Sequence, residues 1–249
     1  MFHVAAWHET IDPAGVLATI AAVREETLFT SGDDIRVPSG LANIIGAAAL
    51  ANDASAARAQ IQSPSLRVFA NLDIEPVVAA AVFGEPTETL WHPESPIEVV
   101  PDESLNFAFE SNPAAAAVHY GLVWLADGPQ QPVTGKMFSL RATSAVQQVV
   151  TGWVNGNLVF SQLLPAGRYA IVGMRARSAD AVAARLVFPD QVARPGVAAV
   201  NAIGDEDVYW FRYGRTGVFG TFPHTNPPTV DVLGGVAAAQ TYILDLIRV

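Results

Sequence analysis

From about residue 35 onwards, apolar and polar residues alternate in short runs, and glycine or proline separates one run from the next. In one such run, Leu105, Phe107 and Phe109 alternate with polar or small residues. Successive side chains of a β-strand point to opposite faces, so a period of two predicts strands with one buried face. Because 19 glycines and 17 prolines are available to form turns, the pattern predicts an all-β fold of many short strands.

Further strands are predicted in the C-terminal half of the chain. Apolar patterning places them at 138–142, 168–177, 181–188, 209–213, 217–222 and 242–249. The dipeptide Asn155-Gly156 lies within another apolar run, and this pair accepts the positive φ angles of a type I′ turn. The sequence therefore predicts a hairpin turn at Asn155-Gly156.

The segment that begins at Asp12 has the features of a short α-helix. Asp12 stands at the N-cap position and Pro13 at the first helical position, and both residue types favour a helix start there. Apolar residues then recur at helical spacing, at Val16, Leu17, Ile20 and Val23. The sequence therefore predicts a helix over residues 14–26, before the strands.

A chain of 249 residues, of which 51% are hydrophobic, can bury one large β domain or two smaller ones. The best boundary is the polar, turn-rich segment 126–132, which separates two strand-dense halves. We therefore expect an N-terminal arm with the helix over residues 1–34, a first β-barrel domain over 35–128 and a second β-barrel domain over 129–249. No apolar run approaches the roughly 20 residues that a membrane-spanning helix needs.

Charged residues make up only 15% of the chain, against about 25% in typical soluble domains. A surface with few charges favours a subunit that neighbours cover in an assembly. The net charge of −10 and the single lysine, Lys136, provide no basic surface. We therefore expect a homo-oligomer that makes no direct contact with nucleic acid.

The sequence contains no familiar catalytic, cofactor-binding or metal-binding motif. The histidines lack the spacing of a metal site. They are His3, His8, His92, His119 and His224. Acidic residues cluster at 33–34, 102–103 and 205–207 without the ligand pattern of a calcium loop. Exposed turns explain these clusters, and ion binding or a glycosidase pair of carboxylates stays open as an alternative.

Nucleophile and phosphate-binding motifs are also missing, since neither G-x-S-x-G nor a P-loop nor G-x-G-x-x-G after a strand occurs. The sequence therefore predicts no catalytic, cofactor or metal site and no enzymatic activity. An unrecognised β-sandwich enzyme stays open as an alternative.

The most distinctive local feature is an aromatic run in the C-terminal third. It consists of Tyr209, Trp210, Phe211, Arg212 and Tyr213. Its rings can stack on sugar rings or contact a partner peptide, with Arg212 supplying hydrogen bonds. The same run is also typical of a strand that is covered on both faces. These five residues are therefore the candidate binding or interface site, and both interpretations stay open.

Taken together, several segments resemble viral jelly-roll coat proteins, in particular the double jelly-roll major capsid proteins of membrane-containing icosahedral phages. The resemblance is carried by the segments 58–67 and 96–101, by the strand at 105–109 that follows, and by the succession of strands after Lys136. It covers most of the chain, from about residue 35 to the C-terminus. The implied fold is two tandem jelly-roll domains with a short N-terminal helix.

The resemblance implies a structural protein without a cofactor, namely a major capsid subunit. Such a subunit forms homotrimers, contacts other virion proteins and is assembled in the host cytoplasm into an icosahedral virion shell. Its N-terminal arm is expected on the inner side of the shell, towards an internal membrane. The main alternative is a carbohydrate- or receptor-binding β-sandwich, such as a spike or lectin-like module, in which Trp210 and Tyr213 would face solvent.

Overall fold

The computed structural model describes residues 1–68, 71–78, 88–146, 149–178, 180–200, 211–234 and 239–249. Within these ranges the chain forms 21 strands, and residues Leu66–Val68 form a 3₁₀ turn. The all-β prediction is therefore confirmed. No helix in the described ranges is long and apolar enough to cross a membrane.

In its described residues, the N-terminal half forms two sheets from twelve strands. The strands are β1 (Phe2–Ile11), β2 (Leu17–Ile20), β3 (Thr30–Ser31), β4 (Asp34–Arg36), β5 (Asn43–Ala51), β6 (Arg58–Gln62), β7 (Leu72–Ile74), β8 (Val77–Val78), β9 (Glu88–Trp91), β10 (Ile97–Glu98), β11 (Ser104–Glu110) and β12 (Ala117–Ala126). One sheet has the order β1-β12-β5-β10, with β8 and β9 also paired to β5. The other has the order β3-β4-β11-β6-β7, with β2 also paired to β11.

The part of the C-terminal half that the structure describes forms one sheet from nine strands. They are β13 (Met137–Ser144), β14 (Val154–Asn157), β15 (Val159–Phe160), β16 (Arg168–Arg177), β17 (Ala181–Val187), β18 (Gly196–Val200), β19 (Gly220–Pro223), β20 (Thr229–Gly234) and β21 (Gln240–Arg248). The order is β14-β20-β17-β18-β16-β21-β13-β15, and β19 also pairs with β16. Because only Leu158 separates the two end strands, β14 and β15, the sheet curls into a nearly closed barrel.

The two halves share one order of strand pairing. In the first half β1, β12, β5 and β10 lie side by side, and so do β2, β11, β6 and β7. In the second half β13, β21, β16 and β19 lie side by side, and so do β14, β20, β17 and β18. In each half the first strand pairs with the last, and the second strand pairs with the last but one. The other strands are short additions to this common order.

The sheet formed by β1, β12 and β5 is buried on both faces. On one face Trp7 packs against Phe107 of β11, with ring centroids 5.7 Å apart. On the other face Trp124 packs against Phe211 at 5.5 Å and donates a hydrogen bond to the carbonyl of Gly196 at 3.0 Å. One continuous hydrophobic core therefore joins the two halves. This explains why β1 and β12 are buried along most of their length.

The predicted N-terminal helix over 14–26 is wrong. Asp12 accepts a hydrogen bond from the N–H of Ala14 at 2.9 Å, and Ala14 and Gly15 have φ angles of +53° and +74°. This left-handed backbone reverses the chain and cannot continue a helix. The apolar residues that follow form β2, which pairs with Phe107–Glu110 of β11. Residues 1–34 thus supply β1, β2 and β3.

The predicted hairpin turn at Asn155-Gly156 is also wrong. Both residues lie inside β14, which pairs with β20, and Gly156 is not among the glycines with positive φ. A Cβ atom at Gly156 would overlap the side chain of Val146, so the glycine allows close packing. The strands predicted at 168–177 and 181–188 are present as β16 and β17.

Candidate functional site

The aromatic run predicted as an interface is described only in part. Tyr209 and Trp210 lie outside the described residues. Phe211 and Arg212 are buried, whereas Tyr213 is 50% exposed. The backbone turns over 211–213, with Tyr213 at a φ of +58°, so the predicted strand is wrong there. Among these three residues, Tyr213 offers the exposed aromatic surface.

Arg212 binds a buried carboxylate on β21. Its Nε donates to Oδ2 of Asp245 at 2.7 Å, its Nη2 donates to Oδ1 at 2.9 Å, and the N–H of Tyr213 donates to Oδ2 at 2.8 Å. The turn lets the side chain of Arg212 and the N–H of Tyr213 reach the carboxylate of Asp245 together. This explains why the predicted strand does not form at 211–213. Burial raises the pKa of Asp245, but Arg212, Ser139 and the Tyr213 N–H lower it by more. Arg212 therefore has a structural role, and the binding role of the run stays a prediction.

A polar cleft of about 420 Å³ lies where the two halves of the chain meet. We call it the junction cleft. Its lining includes residues 24–26, which follow β2, Trp153, which directly precedes β14, and Asn155 on β14. Pairing in the barrel sheet places Asn155 of β14, Asp231 of β20 and Arg185 of β17 in one row. The sheet thus brings an amide, a carboxylate and a guanidinium together at the cleft.

Arg185 is fully buried and connects the two halves. Its Nη1 donates to Oε2 of Glu25 at 2.6 Å and to the carbonyl of Val4 at 3.0 Å. Its Nε donates to Oδ2 of Asp231 at 3.1 Å. Arg194 donates to the same Oδ2 at 2.8 Å. The buried charges therefore form a paired network and not an isolated ion pair.

His3 on β1 contacts the same network. Its Nε2 lies 3.0 Å from Oε2 of Glu25, and its Nδ1 accepts the N–H of Arg194 at 3.1 Å. The second contact requires an unprotonated Nδ1, so Nε2 carries the hydrogen and donates to Glu25. Burial, Arg185 and Arg194 together lower the pKa of His3 by more than Glu25 raises it. Burial also opposes ionisation of Glu25, but Arg185 and His3 lower its pKa to about 2. At neutral pH, Glu25 is therefore ionised and His3 is neutral.

Three buried polar atoms at the cleft have no hydrogen-bond partner within the described part of the chain. They are Nη2 of Arg185, Oε1 of Glu25 and Nε1 of Trp153. Cζ of Arg185 lies 4.0 Å from the centroid of the Trp153 ring, so the guanidinium stacks on the indole. Residues that line the junction cleft therefore contain two buried donors and one buried carboxylate acceptor without a partner there.

The other candidate residues do not come together as a metal site. In the ranges that the structure describes, no three histidine, aspartate or glutamate side chains are grouped so that they could hold an ion. His119 instead lies 2.9 Å from the hydroxyl of Ser111. In the first acidic cluster, Asp34 accepts a hydrogen bond from Asn106 at 2.7 Å. The acidic cluster at 205–207 lies outside the described residues.

The sequence patterns did not single out the residues of the junction cleft, although a signal was present. Arg185 and Asp231 are single charged residues within the buried apolar strands β17 and β20. A charge in such a strand indicates a buried partner. The partner itself could not be identified, because Arg185 lies 46 residues from Asp231 and 160 residues from Glu25.

Comparison with known proteins gives little similarity. No protein-family model matches this sequence, and no curated protein matches it. Among solved structures, the chain is similar to the crystal structure of the major capsid protein P2 from bacteriophage PM2. That comparison covers 100% of this chain and 97% of the phage protein, with 11% sequence identity and a TM-score of 0.25. Similarity at this level does not establish a common fold.

Proposed function

We propose that the chain is a viral coat subunit, built from two tandem jelly-roll units that assemble through homotrimers into an icosahedral shell. The observation that carries the proposal is the strand order shared by the two halves. A jelly roll has eight strands in two facing sheets, and viral capsid proteins are among its common users. The paired rows of four strands in each half agree with that arrangement.

The proposed units differ in one respect from the sequence-based division. Because β1 pairs with β12 and β2 pairs with β11, we assign residues 1–34 to the first unit together with 35–128. The second unit then comprises 129–249, and its first strand is β13. The proposed contact of the N-terminal arm with an internal membrane then belongs to residues 1–34, which form strands and turns in place of the predicted helix.

Two similar units in one chain are suited to a closed shell. Three chains around a three-fold axis present six similar units, so a trimer can occupy a position with six neighbours. The same contacts between subunits can then repeat around the particle, so that one type of subunit can fill every position. On this proposal the protein is located in the virion, contacts other virion proteins and acts through its shape.

The surface of the chain supports assembly. Several large apolar side chains are exposed, among them Leu163 at 96%, Val192 at 73% and Val159 at 63%. Single exposed apolar residues are common in monomers, but here charged residues account for only 15% of the chain. Contact between subunits would remove apolar area from water, at about 25 cal/mol for each Å².

Light scattering of the purified chain tests this proposal. We expect a species of about 79 kDa, which is three chains of 26.3 kDa each, or a larger assembly. The mass should rise with protein concentration, because assembly is a mass-action process. A constant mass of one chain at every concentration and salt condition would contradict a coat subunit.

A further inference from the structure

We propose that the junction cleft binds a small, uncharged, polyhydroxylated ligand, such as a monosaccharide. This inference goes beyond the coat role and does not depend on it. A ligand hydroxyl would accept hydrogen bonds from Nη2 of Arg185 and Nε1 of Trp153, and it would donate one to Oε1 of Glu25.

The first observation is the set of three unpartnered atoms at the cleft. Buried polar atoms in proteins almost always have a hydrogen-bond partner, so three exceptions in one place indicate a missing partner. Arg185 and Glu25 cannot turn away to find one, because a 2.6 Å ion pair between fully buried side chains holds both. Two donors beside one acceptor match a hydroxyl group, which accepts and donates at once.

The second observation is the charge balance of the cleft. Its lining contains equal numbers of basic and acidic side chains. They are Arg24, Arg185 and Arg194, and Glu25, Glu26 and Asp231. A bound anion would be repelled by the free Oε1 of Glu25, and a bound cation would be repelled by the guanidinium of Arg185. A neutral polar ligand avoids both repulsions.

The third observation is the size and the mixed lining of the cleft. A volume of about 420 Å³ lies within the range of roughly 300–1,000 Å³ that is usual for small-molecule sites. Trp153 and Val187 contribute apolar surface, which suits the C–H groups of a sugar ring. Asn155 donates to the hydroxyl of Thr229 at 2.9 Å, so two more polar groups are held in place. The cleft therefore offers a sugar both apolar contacts and hydrogen bonds.

Ligand-observed NMR on the purified full-length chain tests the proposal. The probes are N-acetylglucosamine, galactose and mannose, with sulfate and ammonium as charged competitors. We expect at least one sugar to bind and neither ion to displace it. Trp153→Phe keeps an aromatic ring beside Arg185 but removes the Nε1 donor, and we expect it to weaken binding about tenfold.

Two further variants make the test independent of one substitution. Asn155→Ala removes a lining residue and should also weaken binding, which decides the matter if Trp153→Phe does not fold. Asn157→Ala is the matched control, because Asn157 lies on the same strand outside the cleft lining, and it should bind as the wild type does. Absence of binding for all three sugars would overturn the proposal and leave water as the occupant. Equal binding by Asn155→Ala and wild type, or displacement of the sugar by sulfate, would also overturn it. None of these readouts depends on whether the chain forms trimers.

Discussion

Replacing Arg185 with methionine should destabilise the protein strongly, because two buried carboxylates then lose a cationic partner. The side chains of Arg185 and Glu25 are fully buried, and that of Asp231 is 3% exposed. Removing one partner of a buried ion pair costs about 3–5 kcal/mol, since the remaining charge stays out of water. Methionine is also long and unbranched, so the main loss is of charge and hydrogen bonds.

The lowered pKa of Glu25 reflects the same interaction. Burial opposes the ionised form, yet Arg185 and then His3 lower the pKa from 4.5 to about 2. One pKa unit corresponds to about 1.4 kcal/mol, so this environment stabilises the folded state by about 3 kcal/mol at neutral pH. This net effect includes the contribution of His3, and removing Arg185 would also leave the burial penalty on Glu25 less compensated. For a chain of about 250 residues, such a loss lowers Tm by roughly 10 °C.

The effect of the substitution should also depend on pH in a defined direction. In the wild type, the folded-state pKa of Glu25 lies below the unfolded value, so its contribution is present above about pH 4.5 and is lost as the pH falls towards about 2. Without Arg185, burial raises the pKa of Glu25, and protonation then relieves the buried charge. The difference in unfolding free energy between wild type and variant should therefore shrink as the pH is lowered.

Urea unfolding at neutral pH and at about pH 4 measures both effects. Arg141→Met is the matched control, because Arg141 is an exposed arginine on β13, and its replacement should change stability by less than about 0.5 kcal/mol. A loss of less than about 1 kcal/mol for Arg185→Met at neutral pH would refute the reasoning. A difference that grows on acidification would refute it as well.

Three other substitutions test local features of the fold, with stability measured by urea unfolding. Ala14→Gly should be neutral or stabilise by up to about 1 kcal/mol, because Ala14 has a φ of +53°; a loss of about 1 kcal/mol would indicate a helix there instead. Gly156→Ala should cost about 1–3 kcal/mol through overlap with a neighbouring side chain, whereas Gly40→Ala, with open space around it, should be nearly neutral. Asp245→Asn should cost about 3 kcal/mol by weakening the buried pair with Arg212, and an unchanged midpoint would show that this pair is not structural.

The strands were predictable wherever the apolar pattern depended on one sheet alone. Leu105, Phe107 and Phe109 are all buried in β11, next to the half-buried Asn106 and Glu110, although the small Ala108 is buried as well. The alternation fails in β1 and β12, because these strands are covered on both faces. Their burial depends on how the two halves stack, which no local window of sequence contains.

The wrong predictions of the helix and of the hairpin turn have a common cause, since each dipeptide has more than one use. Asp12 followed by Pro13 favours a helix start, but the same side chain also accepts the N–H of Ala14 in a turn. Asn155-Gly156 suits a hairpin, but the barrel needs a residue without a side chain next to Val146. In both cases, tertiary contacts determine which of the possible structures the dipeptide adopts. The junction cleft could not be predicted from the sequence for the same reason, because its charged residues come from distant parts of the chain.

Cryo-electron microscopy of the purified protein, with and without assembly-promoting salt, tests the coat proposal most directly. The proposal predicts trimers in which each chain contributes two β-barrels, so that six barrels surround the three-fold axis, and larger shells built from these trimers. Isolated chains under all conditions, or an oligomer in which the two halves of the chain do not occupy similar positions, would contradict it.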